Sequence, residues 1–190
     1  MPPLDSEPAI DRWRQYLLLL ARVQLGPPRR GRPDASDLVQ QSLLEAYRQR
    51  GQFRGQSEAE WAAWLRRILA CNLADAERAR HRSKRNVARE RSLESALAAT
   101  SASIASLVAA QQSSPSERAA RNEQLAMLAE AIAALPEANR EAIVLHYFQG
   151  WSLDRVGLQI ERTPAAVAGL LKRGLKQLRG SLVPPSAEHT

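Results

Sequence analysis

The chain has little sulfur and few rings: one cysteine, two methionines, two phenylalanines and three tyrosines in 190 residues. A single thiol, Cys71, excludes an internal disulfide and a cysteine-rich zinc site, and is expected as a small buried residue in a helix. Aromatics make up only 5% of the chain, and no segment alternates apolar and polar residues as a strand would, so β-architecture is excluded. No apolar run approaches the roughly 18 residues that span a bilayer. The longest candidate, "YLLLLARVQL" at 16–25, is interrupted by Arg22 and Gln24. It follows Asp11, Arg12 and Arg14 without a small-residue cleavage site, which argues against a signal peptide. No membrane insertion and a cytoplasmic location are expected. The three histidines, His81, His146 and His189, are scattered between a basic run, an apolar helix and the tail. With no nucleophile–base pair and no phosphate-cradling glycine loop either, the expectation is no enzyme, no metal and no cofactor.

What is present is alanine, leucine and positive charge. Hydrophobic residues reach 44%, enough for packed cores, and the Ala/Leu bias favours helix. The formal charge is 27 − 20 = +7, which calls for an acidic partner such as nucleic acid, an anionic membrane surface or an acidic protein.

Periodicity predicts helices over 9–25, about 34–50 and from 58 onward through "WAAWLRRILACNLADAERARHR", separated by the breaker-rich "GPPRRGRPD" and "GQFRGQSE". The Ser/Ala-rich stretch 92–118 lacks a strong apolar stripe and reads as a linker, with a weak helix at 87–98. Four further helices follow, at roughly 119–134, 137–148, 152–159 and 164–179, before a tail that reads as disordered. The expected fold is all-α: two small helical domains, 1–85 and 119–182, joined by a flexible linker at 86–118, with a disordered tail at 183–190.

The end of the chain carries a helix-turn-helix pattern. "SLDRVGLQI" opens with a capping residue, Ser152, and should bury Leu153, Val156 and Ile160. The turn "ERT" leads to "PAAVAGLLKRGLKQLR", where Thr163 suits a cap and Pro164 a first turn. At 100° per residue, Val167, Leu170, Leu171, Gly174, Leu175 and Leu178 gather on one side, and Ala165, Gly169, Lys172, Arg173 and Lys176 on the other. A glycine inside a helix costs about 1 kcal/mol relative to alanine, so Gly169 suggests a close approach to this face. Small residues at Ala165, Ala166 and Gly169 would admit phosphates near the helix N-terminus. Lys172, Arg173 and Lys176 would hold phosphate further along, and Arg162 and Thr163 are best placed for bases.

On "DLVQQSLLEAYR" (37–48) the same wheel turns Val39, Leu43, Ala46 and Tyr47 inward, and leaves Asp37, Gln40, Gln41, Leu44 and Arg48 as a mixed polar stripe. Such a stripe is either solvated surface or a docking face. Trp61, Trp64, Leu65 and Ile68 fall at i, i+3, i+4 and i+7 and read as core. "RARHRSKRNVARER" (78–91) holds seven Arg/Lys against one Glu, which reads as either a solvated surface or a phosphate track.

"DASDLVQQSLLEAYRQRGQFRG", followed by "EAEWAAWLRRILACNLADAERARHR", closely resembles region 2 of bacterial sigma-70 family factors. "LAEAIAALPEANREAIVLHYFQGWSLDRVGLQIERTPAAVAGLLKRGLKQLR" resembles their region 4. With only a linker between them, the layout is similar to that of the extracytoplasmic-function group. The resemblance implies a protein that binds core RNA polymerase, directs it to −35 and −10 promoter elements and helps melt DNA. It implies docking of Asp37, Gln40, Gln41, Leu44 and Arg48 on the clamp coiled coil of the largest polymerase subunit. For the −10 element it implies a flipped base held near the loop 53–57, with Gln56 and Ser57 as candidates, and Arg66, Arg67, Asn72, Asp75, Arg78 and Arg80 along the following helix. It assigns Arg162, Thr163, Ala165, Ala166, Gly169, Lys172, Arg173 and Lys176 to the −35 element. It also implies an anti-sigma factor as a possible partner.

The sequence departs from that pattern in places. Relatives commonly carry an acidic residue at Gln41, alanine at Gly157 and glycine at Glu161, and often Lys, Ser and Arg at Ala168, Gly169 and Leu170. The promoter therefore does not carry over from relatives, and either Glu161 takes a left-handed conformation at a cost of about 1–2 kcal/mol or the turn differs. The alternative function is an autonomous helix-turn-helix regulator that never touches polymerase.

Overall fold

The computed structural model describes residues 7–28, 32–81, 87–109 and 120–182, all helix and connecting turns. The chain divides into two units, 1–126 and 127–190. The second block was expected to begin near 119, whereas the division falls inside a helix.

The first unit contains α1 (Glu7–Leu25), α2 (Ala35–Gln49), a short 3₁₀ turn (Arg50–Gln52), α3 (Glu58–His81) and α4 (Val87–Ala109). On α1, Trp13, Tyr16, Leu17, Leu20 and Ala21 repeat at helical spacing and are all buried. Asp34 starts α2 by accepting the Ser36 amide at 2.6 Å. The helix buries Leu38, Val39, Ser42 and Ala46. Tyr47 departs from the expected inward face: it is 53% exposed, and the Arg50 guanidinium lies 4.6 Å from its ring centre. That cation–π contact gives the ring a partner outside the core.

Helix α3 begins with a capping box at Ser57 and Glu60. It buries Trp61, Leu65, Ile68, Leu69 and Leu73, and Trp64 is half-buried. Cys71, expected as buried, is also half-buried.

The linker expected over 86–118 is helical for most of its length. Helix α4 packs against α3 and α1, and buries Leu97, Thr100, Ser101 and Ile104 at i, i+3, i+4 and i+7. Only two of these are apolar, which is why no stripe stands out. The hydroxyls are satisfied within the unit: Thr100 donates to the Ala96 carbonyl, and Ser101 accepts from the Tyr16 hydroxyl at 3.0 Å.

The second unit draws on α5 (Ala120–Ala133), α6 (Glu137–Ile143) running into a turn of π-helix (Val144–Phe148), α7 (Leu153–Ile160) and α8 (Pro164–Leu182). Its core holds Leu128, Ile132, Leu135, Ile143, Val156, Val167, Leu171 and Leu178. Leu153 and Ile160 are only half-buried. Arg140 ties the end of α5 to α6 by donating to the Ala133 carbonyl at 2.8 Å. The side-chain amide of Asn139 donates to the Leu170 carbonyl at 3.1 Å and so joins α6 to α8. Gly174 lets those two helices approach, since a Cβ there would stand 2.7 Å from Ile143 Cδ1. Among the described residues, no helix is long and apolar enough to cross a membrane.

Candidate nucleic-acid and partner interfaces

The helix-turn-helix is set by its turn. Ser152 caps α7 by accepting the Arg155 amide at 3.3 Å. The helix ends at Glu161, which has φ 55° and ψ 51°, the left-handed one of the two alternatives left open by the sequence. This redirects the chain so that Thr163 caps α8, its Oγ1 accepting the Ala166 amide at 3.2 Å. Arg162 hydrogen-bonds the Glu161 carbonyl at 2.9 Å and is otherwise exposed.

Along α8, Ala165, Lys172, Arg173 and Lys176 are exposed and Ala166 and Gly169 half-buried, while Val167, Leu171, Gly174 and Leu178 are buried. The outer face thus brings together all eight residues expected at a −35 element, with Arg162 and Thr163 at its leading edge. Its first turn holds no acidic side chain, so none within that turn offsets the positive helix end. The gap at Gly169 has an occupant: a Cβ there would lie 3.2 Å from Arg173 Nη1. The guanidinium of Arg173 therefore folds back toward the helix start, as long helical side chains tend to do.

The stripe on α2 is also on the surface. Asp37, Gln40, Gln41, Leu44 and Arg48 are all exposed, Leu44 at 51%. An exposed leucine flanked by polar groups suits a helix-docking face. Gln41 additionally donates to Asn72 Oδ1 at 3.0 Å.

The residues expected at the −10 element are divided. Gln56, Ser57, Arg67 and Asp75 are exposed. The carboxylate of Glu60 accepts the Gln56 amide at 2.7 Å, the Ser57 amide at 3.1 Å and the Ser57 hydroxyl at 3.0 Å. These bonds, the Gln56 amide first, hold the Glu60 carboxyl below its ordinary range. Beside this loop Phe53, Trp61 and Trp64 form an aromatic cluster, with ring centres 4.9–5.4 Å apart.

Asn72 is a correction. It is 3% exposed, and its side chain bonds Ser42 Oγ at 3.0 Å and Glu45 Oε2 at 3.2 Å as well as Gln41. Its polar groups join α2 to α3 rather than facing solvent. Arg66 is half-buried and donates to the Tyr16 hydroxyl at 2.8 Å. Arg78 is bonded to Asp75 and, at 2.9 Å, to Glu90 of α4. The side chain of Arg80 lies outside the described residues, as do the central part of the basic run 78–91 and the tail 183–190.

Glu60, Tyr16, Ser101 and Glu90 did not stand out among the sequence candidates. The Glu60 signal was present as Ser57-x-x-Glu60. Tyr16 and Ser101 are 85 residues apart and share no local pattern. His146 is structural, its Nδ1 paired with the Trp151 carbonyl at 2.8 Å.

No curated protein matches the chain. Residues 125–178 match the family described as Sigma-70, region 4, a span that covers α6, α7 and nearly all of α8. With its left-handed turn and its small, basic outer face, this segment of the chain is similar to region 4 of sigma-70 factors.

Proposed function

We propose that the protein is an alternative sigma factor of the extracytoplasmic-function type. It binds core RNA polymerase in the cytoplasm, directs it to promoters and helps open the DNA. The observation that carries this reading is the α8 surface, where Ala165, Ala166 and Gly169 leave the positive helix end uncovered and Lys172, Arg173 and Lys176 follow. Such a surface admits phosphate at the helix N-terminus and holds more phosphate along the groove. Arg162 and Thr163 would reach bases of a −35 element.

In this reading the exposed stripe Asp37, Gln40, Gln41, Leu44 and Arg48 docks on the clamp coiled coil of the largest polymerase subunit. Gln56 and Ser57, braced by Glu60, sit where a base extruded from the −10 element would be held. Arg67, exposed further along α3, would contact phosphate.

The test is size-exclusion chromatography with purified core polymerase, comparing wild type with Asp37→Lys/Gln40→Ala. Co-elution of the wild type and its loss in the double variant supports the sigma reading. A wild type that remains separate from core, yet still binds duplex DNA, would favour an autonomous regulator.

A further inference from the structure

We propose that α4 is a self-docked cover that keeps Arg78 of α3 from nucleic acid until it lifts. This rests on the reading of α3 as a nucleic-acid-facing helix. Of the arginines expected there whose side chains are described, only Arg67 stands clear. Arg78 is held by Glu90 of α4 at 2.9 Å, and its side chain is only 20% exposed. Arg66, by contrast, is held by α1 through the Tyr16 hydroxyl at 2.8 Å.

A carboxylate oxygen at 2.9 Å from a guanidinium occupies the place that a phosphate oxygen would take. Both are oxyanions bound by charge-assisted hydrogen bonds to the same donor. Glu90 and a DNA phosphate therefore compete for Arg78. Although α4 packs on both α3 and α1, the face it buries is half hydroxyl, which eases exchange. Among its described side chains only Leu97 and Ile104 are large and fully buried, and Thr100 and Ser101 carry hydroxyls that water would satisfy equally well. Docked, α4 lowers the affinity of α3 for phosphate. Lifted, it removes Glu90 from Arg78 and leaves that guanidinium paired with Asp75 of its own helix.

The test uses the full chain and a fluorescein-labelled 20-nucleotide oligo-dT, read by anisotropy at 50 and 200 mM salt. Glu90→Gln is expected to bind several-fold more tightly, with a salt slope steeper by about one phosphate contact. Glu90→Gln/Arg78→Ala is expected to lose that gain. Unchanged or weaker binding by a normally helical Glu90→Gln, or a gain that survives without Arg78, overturns the proposal. Hydrogen exchange on the wild type gives a second reading that needs no variant. Amides of α4 should lose protection when oligo-dT binds, and unchanged or increased protection overturns the proposal. Failure to co-elute with core polymerase would count against the sigma reading alone. Failure of every form to bind oligo-dT would remove the basis of this inference.

Discussion

The carbonyl oxygen of Arg162 stands 2.5 Å from where a Cβ on Gly157 would lie, and the Arg162 amide donates back to the Gly157 carbonyl at 2.9 Å. The two residues close the turn between α7 and α8. Glu161, between them, supplies the left-handed bend with φ 55°. A side chain at 157 would meet backbone, which cannot swing aside as a flexible side-chain end could.

Opposite outcomes are therefore expected at the two positions. Gly157→Ala should destabilise the helix-turn-helix by about 1–3 kcal/mol through overpacking. Glu161→Gly should stabilise it by about 1 kcal/mol by relieving a left-handed non-glycine residue. Hydrogen exchange of α7 and α8 amides reads both, since the opening free energy is resolved by segment. Equal stability of Gly157→Ala and wild type would mean that the Arg162 carbonyl can retreat.

Asn72 joins α2 to α3 through Ser42, Glu45 and Gln41. Its removal breaks three hydrogen bonds, one of them to the buried Ser42, at a cost of about 1–3 kcal/mol. Asn72→Ala should lower the urea midpoint of the first unit, followed by the fluorescence of Trp13, Trp61 and Trp64. It should not alter the preference among promoter sequences in a binding assay. A changed base preference with unaltered stability would restore Asn72 as a direct DNA contact.

How much of this was legible beforehand varies with the kind of signal. Helix α8 was readable because Thr163, Pro164 and the spacing of Val167, Leu171 and Leu178 all agree. Its eight outer residues do share one surface. Asn72 was misread because it is polar, although it lies four residues after Ile68 and three after Leu69, on the buried side of α3. Helix α4 escaped because its contacting face is half hydroxyl: Thr100 and Ser101 are buried with Leu97 and Ile104, and a search for apolar periodicity passes over them. The ion pair of Arg78 and Glu90 depends on how α3 and α4 pack. No local pattern encodes it.

The Glu60 carboxylate holds the loop amides of Gln56 and Ser57, and its proton affinity is lowered by them. A depressed carboxyl contributes order that is fully present above its ordinary value of 4.5 and is lost as pH falls through its lower folded value. The amides of Gln56 and Ser57 in the wild type should therefore be better protected from exchange at neutral pH than in Glu60→Gln. The two proteins should converge under more acidic conditions. A difference independent of pH would show that the carboxylate charge is not what orders the loop.

Gly169 couples stability to DNA contact in opposite directions. Replacing it with alanine raises helix propensity by about 1 kcal/mol, and α8 should become correspondingly more resistant to exchange. The same methyl would crowd Arg173 Nη1, which lies 3.2 Å from the added carbon. That guanidinium is the free end of a flexible side chain, so it moves and the helix stays intact. Gly169→Ala should thus be more stable and bind −35 duplex DNA more weakly. In an Arg173→Ala background the methyl no longer has a guanidinium to displace, and the further loss on adding Gly169→Ala should largely vanish. A double-mutant cycle on duplex binding measures this coupling directly. Additive losses would show that the methyl obstructs the DNA itself, and that the small residue serves close approach of the backbone rather than the placement of Arg173.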